Sequence, residues 1–430
     1  MTAILILYLV LSFLYGQATP PMEGPDESGH MAFIFRLHQQ RTLPVACAED
    51  PRPTRTQEFT QPPLYYVLGA LLTAPIDTSR HERHYRWRPN APIGRADIPG
   101  PKNIFIPYGR TSFPFEGPIR ALMMVRLFSM LLGAGTILLI GLSVRAIAPG
   151  DAVTACWAAA LTAFNPMFLF VSTSVNNDNL ATFLVTAAMA WIILRYSRIT
   201  EPGTALILGV LAGLAMSAKF SALILLPVMA WTIGRTADPI KLRVRGLAIA
   251  SAAALLMAGP WLIRNTWLYG DPLGTRMHMA LAGNARAAWT PLALLREWDG
   301  FLKSFWGVFG AFNVIYRDGV YYGFYAVTAA GLAGILAWVI RGRGRLDRRA
   351  EALLALALVN VLAVAVWTSR LLGSQGRMLF PSLLGWNGLL ALSLACWPPT
   401  WQRVVKVSVL MFLLASALWG ALAVIPAQYP

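Results

Sequence analysis

The chain has 430 residues, of which 56% are hydrophobic and 13% are charged, and its formal net charge is +16. A mean hydropathy of +0.54 excludes an ordinary soluble domain, in which roughly a quarter of the residues are charged. The apolar runs are continuous rather than alternating, which argues against a transmembrane β-barrel. The composition therefore predicts an all-α polytopic membrane protein.

Recurrent apolar runs predict about eleven transmembrane helices within one domain over residues 1–430. The first run has no basic residues before it, so we expect a retained helix rather than a cleaved signal peptide. In chain order the predicted spans cover 3–18, 121–147, 152–173, 179–196, 203–217, 219–234, 246–263, 321–340, 351–368, 379–397 and 407–425.

Basic residues cluster in four loops between these spans, at 195–198, at 235–245, at 341–349, and at Arg403 with Lys406. With eleven spans and a cytoplasmic N-terminus, all four clusters fall on the cytoplasmic face, which is the positive-inside pattern. The net charge is thereby explained by membrane orientation, and the sequence predicts no nucleic-acid partner.

Two long segments fall on the outer face. Residues 19–120 form a first external loop of about a hundred residues, too long for a simple connector, so we expect it to carry function. Its apolar run Gln61–Ile76 is short and starts with two prolines after Gln61, which predicts a juxtamembrane helix with Tyr65 and Tyr66 at interface depth. Residues 264–320 form a second external segment, rich in Trp and Phe, that predicts an interfacial helix.

The stretch "GPDESGH" follows the first span and places Asp26, Glu27 and His30 within five residues. Pro25 predicts a helix start, where acidic residues stabilise the helix dipole, so capping is the simpler interpretation. If the helix continues, His30 lies one turn beyond both carboxylates, and that face suits a general base or a metal site. The residues alone leave both interpretations open.

Asp178 lies in "SVNNDNLATFL", on a turn that faces the same outer compartment. The simpler interpretation is a polar turn that caps the next helix, and the alternative is a site shared with Asp26. The loop 76–105, with His81 and His84, could contact the acceptor or anionic lipid, but a solvated loop is the simpler interpretation.

Several cations are predicted at or near the outer face. Arg126 lies near the outer end of the second span, and Lys219 lies at a break between two apolar runs. Charges at membrane depth usually face a partner or a cavity, although snorkelling also accounts for Lys219. With Arg264, Arg370 and Arg377 they predict an electropositive pocket suited to an anionic lipid head group.

Eight motifs occur in order over nearly the whole chain. They are "PDESGH", "QPPLYYVLGALL", "VRLFSMLLGAGTILL", "SVNNDNLATFL", "GLAMSAKFSALIL", "WLIRNTWLYGDPLG", "FWGVFGAFN" and "QGRMLFPSLL". In this order they resemble GT-C superfamily membrane glycosyltransferases. The resemblance extends to bacterial relatives of protein O-mannosyltransferase and lipid A aminoarabinose transferase, and to the membrane protein family "domain of unknown function 2142".

The resemblance implies a GT-C-like fold of about eleven helices, with juxtamembrane helices in a large first external loop. It implies transfer of a sugar from a polyprenyl-phosphate carrier to a glycan, lipid or protein acceptor among membrane lipids, at the outer face of a bacterial cytoplasmic (inner) membrane. Gln61 departs from the pattern, because the mannosyl and aminoarabinose enzymes usually have a charged residue or a histidine before the prolines.

The resemblance also implies residue roles. Asp26 matches the catalytic base, with Glu27 as its catalytic neighbour, and Asp178 with His30 matches a second acidic or acceptor site. Any divalent cation, Mg or Mn, would have Asp26, Asp178 and His30 as candidate ligands. The lipid phosphate would be held by cations among Lys219, Arg126, Arg264 and Arg377.

Two other functions stay open. A lipid or glycan transporter or flippase shares the composition and the intramembrane cations, but the sequence has no internal repeat of the kind many transporters show. A non-catalytic scaffold of polysaccharide assembly would keep the fold without the activity.

Overall fold

A computed structural model describes residues 1–48, 56–79, 85–107, 112–283, 285–286, 288–341, 347–394 and 397–429. His81 and His84 lie outside these ranges. Over the described residues the chain is mostly helical, as the hydropathy pattern predicts. The helices are α1 (Thr2–Ala18), α2 (Glu27–Gln40), α3 (Leu64–Leu72), α4 (Gly117–Ile147), α5 (Ala152–Ala163), α6 (Pro166–Ser172), α7 (Asp178–Leu194), α8 (Pro202–Ala218), α9 (Leu225–Gly234), α10 (Ile240–Tyr269), α11 (Thr275–Ala282), α12 (Pro291–Trp306), α13 (Asp318–Arg341), α14 (Arg348–Thr368), α15 (Leu383–Ser393) and α16 (Pro399–Trp419).

Two short antiparallel hairpins lie in the predicted external segments, β1 (Tyr85–Trp87) with β2 (Phe105–Pro107) and β3 (Val308–Phe309) with β4 (Val314–Ile315). The first hairpin is tied to the end of α1. The Glu23 carboxylate accepts hydrogen bonds from the backbone amides of Ile104 and Phe105, at 2.7 and 2.8 Å.

Five helices of the described ranges, α4, α10, α13, α14 and the helical run that begins with α16, are long and apolar enough to cross a membrane. The bent pair α5 and α6, with an angle of 64° between them, would make a sixth span. Shorter apolar helices cover α1, α7, α8 and 220–234. The chain is a multi-pass membrane protein, and each of the eleven predicted spans overlaps a helical segment. The count of eleven crossings stays a prediction.

One predicted boundary is wrong in an informative way. The span expected to end at 263 continues to Tyr269, because no glycine or proline interrupts the intervening residues. Gly270 then ends α10 in the left-handed conformation, with φ of 63°, as a helix C-cap glycine does. Arg264 therefore lies in the last turns of α10, and the predicted start of the second external segment at this residue stays a prediction.

The described parts of the four predicted basic loops gather at one end of the bundle. Each lies where a helix ends or begins on that side, so the cavity described below is at the opposite end. Their described parts are joined by Thr200 with Asp238 at 2.6 Å, Arg235 with Glu351 at 3.2 Å, Arg349 with the Ala146 carbonyl at 2.8 Å, and Lys406 with Thr154 at 3.1 Å.

Helices α8 and α10 pack closely through two glycines of α8. A Cβ atom added to Gly213 would lie 2.7 Å from the Ala254 carbonyl oxygen, and one added to Gly209 would meet the Ala250 carbonyl. Small residues at such contacts allow backbones to approach in membrane helix pairs. This contact fixes the end of α8, where Lys219 follows.

The juxtamembrane helices expected in the first external loop are present as α2 and α3. With nine residues, α3 is too short to cross a membrane. Both Tyr65 and Tyr66 are fully buried in the protein, so neither side chain faces lipid, and their depth at the interface stays a prediction. The Tyr65 hydroxyl lies 2.7 Å from Ser129 Oγ, and the Tyr66 ring stacks on Phe33 with 4.0 Å between centroids.

Candidate active site

A cavity of about 650 Å³ lies at the end of the bundle away from the basic loops. Its lining joins the loop before α2, the turn Gln57–Thr60, the start of α7, the end of α8, and the segment after α14. Three carboxylates and three cations face it, namely Asp26, Glu58, Asp178, Lys219, Arg370 and Arg377.

Asp26 is the N-cap residue of α2, and its backbone is left-handed with φ of 58°. A left-handed residue other than glycine is uncommon, and such strain collects at functional sites. The predicted helix start is present, with Glu27 in its first turn, but the Asp26 side chain makes no capping hydrogen bond and Pro25 lies before the helix rather than in it. Arg377 Nη2 instead donates a hydrogen bond of 2.5 Å to the Asp26 carboxylate.

The Asp26 side chain is 36% exposed, into the cavity, whereas that of Arg377 is 7% exposed. Burial by itself would raise the pKa of Asp26, but the Arg377 charge, helped by Lys219, outweighs burial and lowers that pKa. Asp26 is therefore an ionised carboxylate with one side open to the cavity. Arg377 Nη1 is buried and has no hydrogen-bond partner among the described residues, which leaves it free for a ligand.

Asp178 and Lys219 form the second ion pair of the cavity. Asp178 is the first residue of α7, and Lys219 Nζ lies 2.7 Å from its Oδ1 atom. The backbone of Lys219 is extended and ends α8, so the predicted break at this residue is confirmed. Asn177 Nδ2 donates to the Ala218 carbonyl at 3.1 Å and holds the two helix ends together.

Glu58 is a cavity carboxylate that no sequence motif singled out. It is 4% exposed, and Oε2 lies 3.6 Å from His30 Nδ1, which is 2.9 Å from the Tyr66 hydroxyl. Burial raises the pKa of Glu58 to about 7 and lowers the pKa of His30 to about 3. His30 is therefore neutral and gives Glu58 no counter-charge. In the sequence, the only indication of a role for Glu58 was its position in the first external loop, four residues before Pro62.

Glu27 and Arg126 form a buried ion pair outside the cavity lining. Arg126 Nε and Nη2 donate to the two Glu27 oxygens at 2.8 and 2.6 Å, and the Val175 amide donates to Oε1 at 2.8 Å. Arg126 also donates to the Thr19 and Pro20 carbonyls, at 2.9 Å each. These partners occupy both side chains, so the structure does not bring Glu27 or Arg126 together with Asp26 in the cavity.

The other predicted cations divide in the same way. Arg264 donates to the Pro44 carbonyl at 2.6 Å and stacks over Trp261 at 4.5 Å, away from the cavity. Arg370, which follows α14, lines the cavity, and within the described ranges its side chain has no acidic partner.

An apolar wall continues the charged end of the cavity. It is formed by one face of α14 and by the segment around the start of α9, and Leu362 and Val366 are 64% and 57% exposed. An exposed apolar strip beside buried charges suits a ligand that has both a hydrocarbon and an anionic part. Its residues include Phe220, Leu223, Ile224, Pro227, Val359, Leu362, Ala363 and Val366.

Comparisons with known proteins bear on the fold. The family model for dolichyl-phosphate-mannose-protein mannosyltransferase matches residues 121–263, which is less than half of the chain. No curated protein sequence matches the chain.

Three solved structures superpose on nearly all of it. The apo oligosaccharyltransferase of Archaeoglobus fulgidus has a TM-score of 0.54 at 15% identity and covers 99% of this chain, which spans 56% of that protein. ArnT of Cupriavidus metallidurans, bound to undecaprenyl phosphate, has a TM-score of 0.56 at 12% identity and covers 100% of this chain and 71% of its own. The Archaeoglobus fulgidus AglB complex with an inhibitory peptide and a dolichol-phosphate has a TM-score of 0.54 at 14% identity, with coverages of 99% and 56%.

The chain has the GT-C fold. The predicted all-α polytopic fold and the resemblance to GT-C glycosyltransferases are thereby confirmed. The chain spans a little over half the length of the archaeal oligosaccharyltransferases, so activity, donor and acceptor are matters of proposal.

The residues of this GT-C fold do not form a ready metal site. Among the described residues no group of three His, Cys, Asp or Glu side chains is close enough to hold a metal ion. Of the three candidate ligands, Asp26 and Asp178 are each paired with a cation, and His30 Nδ1 contacts Tyr66. A divalent cation stays a prediction.

Proposed function

We propose that this protein is a glycosyltransferase that moves a sugar from a polyprenyl-phosphate carrier to an acceptor at the outer face of a bacterial cytoplasmic membrane. The observation that carries the proposal is the cavity, in which an apolar wall leads to a cluster of carboxylates and cations. A polyprenyl-phosphate sugar has the same division into hydrocarbon, phosphate and polar sugar. The GT-C fold also supports a glycosyltransferase.

The lipid phosphate would lie among the cations that face the cavity. Arg370 has no acidic partner within the described ranges, and Arg377 Nη1 has an unused N–H group. Lys219 adds a point charge from the end of α8. Negative charge grows on the departing phosphate during transfer, and preorganised cations in a site of low dielectric lower the barrier for that step.

Asp26 would act on the acceptor as a general base. The acceptor hydroxyl or amine attacks the anomeric carbon of the sugar, and the bond from that carbon to the phosphate oxygen breaks. The proton of the acceptor passes to Asp26, and polyprenyl phosphate departs with the electron pair. General-base catalysis of this kind is worth about 10²- to 10⁴-fold in rate.

The basic loops support the proposed orientation of the protein in the membrane. These loops gather at the end of the bundle opposite the cavity, and positively charged loops favour the cytoplasm. The cavity would then open toward the outer face, where the predicted external segments cover it.

The proposal can be tested with purified protein in lipid nanodiscs. A panel of undecaprenyl-phosphate-linked hexoses and pentoses serves as donors, and a cell-envelope extract supplies the acceptor. Undecaprenyl phosphate is the released product common to all of the donors. Asp26→Asn is expected to reduce release by about 100-fold or more. Asp97→Asn is the matched control, because Asp97 is an exposed loop residue paired with Arg95, and it should leave release unchanged.

The competing functions give different results. Movement of an intact lipid-linked sugar across proteoliposomes, with no release of undecaprenyl phosphate, would favour a flippase. A cellular function that is lost on deletion of the protein, but is kept when both Asp26 and Asp178 are substituted, would favour a scaffold. Release at the wild-type rate by Asp26→Asn would overturn the assignment of the base.

A further inference from the structure

The two arginines that line the cavity lie on one short loop. This arginine loop, residues 369–377, follows α14 and carries Arg370 near its start and Arg377 at its end. From Leu372 to Gln375 its backbone forms neither helix nor strand, and Gly373 has a φ of 99°, a conformation that favours glycine. Contacts with other segments must therefore fix the spacing of the two guanidinium groups.

Arg286 holds the first end of the arginine loop. Its backbone amide donates to the Arg370 carbonyl at 2.8 Å, and its Nε atom donates to the Thr368 carbonyl at 2.9 Å. Next to it, Ala285 forms an antiparallel β-bridge with Leu371. The Arg286 side chain is only 5% exposed, so these contacts are packed within the protein. They fix the backbone at the point from which the Arg370 side chain enters the cavity.

Helix α12 holds the second end of the loop. Ser374 Oγ donates to Glu297 Oε2 at 2.5 Å, and the Gly376 amide donates to Ser304 Oγ at 2.8 Å. The loop backbone lies directly on the helix, because a Cβ atom added to Gly376 would collide with the Phe301 carbonyl oxygen. These contacts fix the backbone immediately before Arg377.

The Glu297 carboxylate joins the two ends. Oε1 accepts a hydrogen bond of 2.6 Å from Arg286 Nη2, while Oε2 accepts the hydrogen bond from Ser374. Burial would raise the pKa of Glu297, but the hydrogen bonds from Ser374 and Arg286 outweigh burial and lower that pKa, so the carboxylate is ionised. Charge-assisted hydrogen bonds of this kind are the stronger ones in proteins. Glu297, Arg286 and Ser374 all lie outside the cavity lining, so any effect on a ligand must pass through the arginine loop.

We propose that Glu297 is a positioning residue, which sets the spacing at which Arg370 and Arg377 meet the phosphate of the lipid carrier. The role rests on the proposed function, and it belongs to a residue that touches neither donor nor acceptor. Cations held in place before the ligand arrives bind it without a further ordering cost. Glu297 should therefore affect the binding of a lipid that carries phosphate, and not the binding of the hydrocarbon chain.

The test compares two lipids that differ only in the phosphate, undecaprenyl phosphate and undecaprenol. Native mass spectrometry of the protein in detergent micelles measures the dissociation constant of each. Glu297→Ala should weaken the binding of undecaprenyl phosphate by about fivefold or more and leave that of undecaprenol unchanged. Asp299→Asn is the matched control, because Asp299 lies on the same helix but contacts Lys303 and Tyr325 instead of the arginine loop. Equal weakening of both lipids by Glu297→Ala would show a general structural role and overturn the proposal.

A double substitution tests whether Glu297 acts through the loop. In an Arg370→Gln background, Glu297→Ala should cost less affinity for undecaprenyl phosphate than it does in wild type, because one of the cations that it positions is already absent. Additive losses would contradict the proposal. Ser374→Ala removes one of the two hydrogen bonds and should give a smaller loss with the same selectivity for the phosphate. It takes the place of Glu297→Ala if that variant does not fold.

The binding experiment needs no sugar donor, which separates the two proposals. A wild type that releases undecaprenyl phosphate from a donor, with a Glu297→Ala variant that binds this lipid as tightly as Asp299→Asn does, would overturn the positioning role alone. A wild type that binds undecaprenyl phosphate but releases none from any donor would overturn the proposed function. The comparison of the two lipids would still decide whether Glu297 positions the arginines.

Discussion

Arg377 donates a hydrogen bond of 2.5 Å to Asp26, although the two residues are 351 positions apart in the chain. The contact joins the loop after the first helix to the segment after α14 and closes the charged end of the cavity. It also keeps Asp26 ionised while leaving one side of the carboxylate open. The base and the phosphate-binding end of the proposed reaction are thus linked through one guanidinium.

This link predicts that the effects of changing the two residues are not additive. Arg377→Gln should reduce undecaprenyl phosphate release by about 10- to 100-fold, because Asp26 loses its counter-charge and a phosphate contact is lost. In a double-mutant cycle with Asp26→Asn, the coupling energy should be about 0.5–3 kcal/mol. Arg95→Gln, which breaks the exposed pair with Asp97, is the control. Additive losses would mean that the contact has no role in the rate.

Of the predicted cations, Arg370 lines the cavity and Arg264 does not, and this difference can be tested by lipid binding. Arg370→Gln should weaken binding of undecaprenyl phosphate by about 10- to 150-fold, the equivalent of a charge-assisted hydrogen bond of about 1.5–3 kcal/mol. Arg264→Gln should leave the dissociation constant unchanged, because Arg264 contacts Pro44 and Trp261 instead of the cavity. Isothermal titration in nanodiscs measures both values, and equal losses would contradict the assignment.

The Glu27–Arg126 pair should act on stability. Glu27→Gln leaves the Arg126 charge buried without a partner, and this should cost about 3–5 kcal/mol of unfolding free energy. Replacing both residues with apolar ones, as in Glu27→Leu with Arg126→Met, should recover much of the loss. Glu201→Gln is the matched control, since its pair with Arg198 is exposed and worth little. Chemical unfolding in mixed micelles measures the free energy of unfolding of each variant. A loss for Glu27→Gln as small as that for Glu201→Gln would be inconsistent with a buried ion pair.

Glu23 should make the unfolding free energy depend on pH. Burial raises the pKa of Glu23 from 4.5 to about 7, so between these values the folded protein holds a proton that the unfolded chain has lost. The stabilisation is thus present at low pH and is lost as the pH rises through about 7, with a slope of up to about 1.4 kcal/mol per pH unit. Glu58 has the same shift and adds a similar slope. His30 and His278 act in the opposite direction below about pH 6.5, because burial lowers their pKa values to about 3 and about 4. The test is therefore the difference between variant and wild type: Glu23→Gln should make the slope between pH 5 and 7 more positive by up to about 1.4 kcal/mol per pH unit, and an unchanged slope would exclude Glu23 as a source.

The contact between α8 and α10 predicts opposite effects for two glycine substitutions. Gly213→Ala puts a methyl group 2.7 Å from the Ala254 carbonyl oxygen and should cost about 1–3 kcal/mol through overpacking. Gly259→Ala lies in α10 with open space around it, and it should gain about 0.5–1 kcal/mol from a lower backbone entropy in the unfolded state. Unfolding in micelles measures both changes. A Gly213→Ala protein as stable as wild type would show that the helices can separate without cost.

The fold could be predicted from the sequence because the hydropathy of a segment indicates directly whether it can lie in lipid. Alternating the spans across the membrane was also enough to place Asp26, Asp178, Lys219 and Arg377 at one end, where the structure has them lining one cavity. The alternation of spans shows at which end of the bundle a residue lies, but it does not distinguish a side chain that faces the cavity from one that faces a neighbouring helix. Arg126 was therefore grouped with the cavity cations, although it points to Glu27.

Glu58 shows the other limit of sequence reasoning. It lies in a short turn whose residues have no periodicity, and its role depends on which side chains lie across the cavity. The same holds for Tyr66, whose aromatic character suggested the membrane interface but whose hydroxyl contacts His30 inside the protein. Contacts between distant segments decide both cases, and a single sequence does not report them.

The separation of Asp26 and Arg377 along the chain has a consequence for biosynthesis. A ribosome adds about 5–20 residues per second, so roughly 20 to 70 s pass between the synthesis of one partner and that of the other. Throughout that time the nascent chain carries an Asp26 carboxylate whose guanidinium does not yet exist, next to helices that are already entering the bilayer. The charged end of the cavity is thus among the last parts of the molecule to be assembled, and a chain halted before α14 would be inserted but catalytically silent.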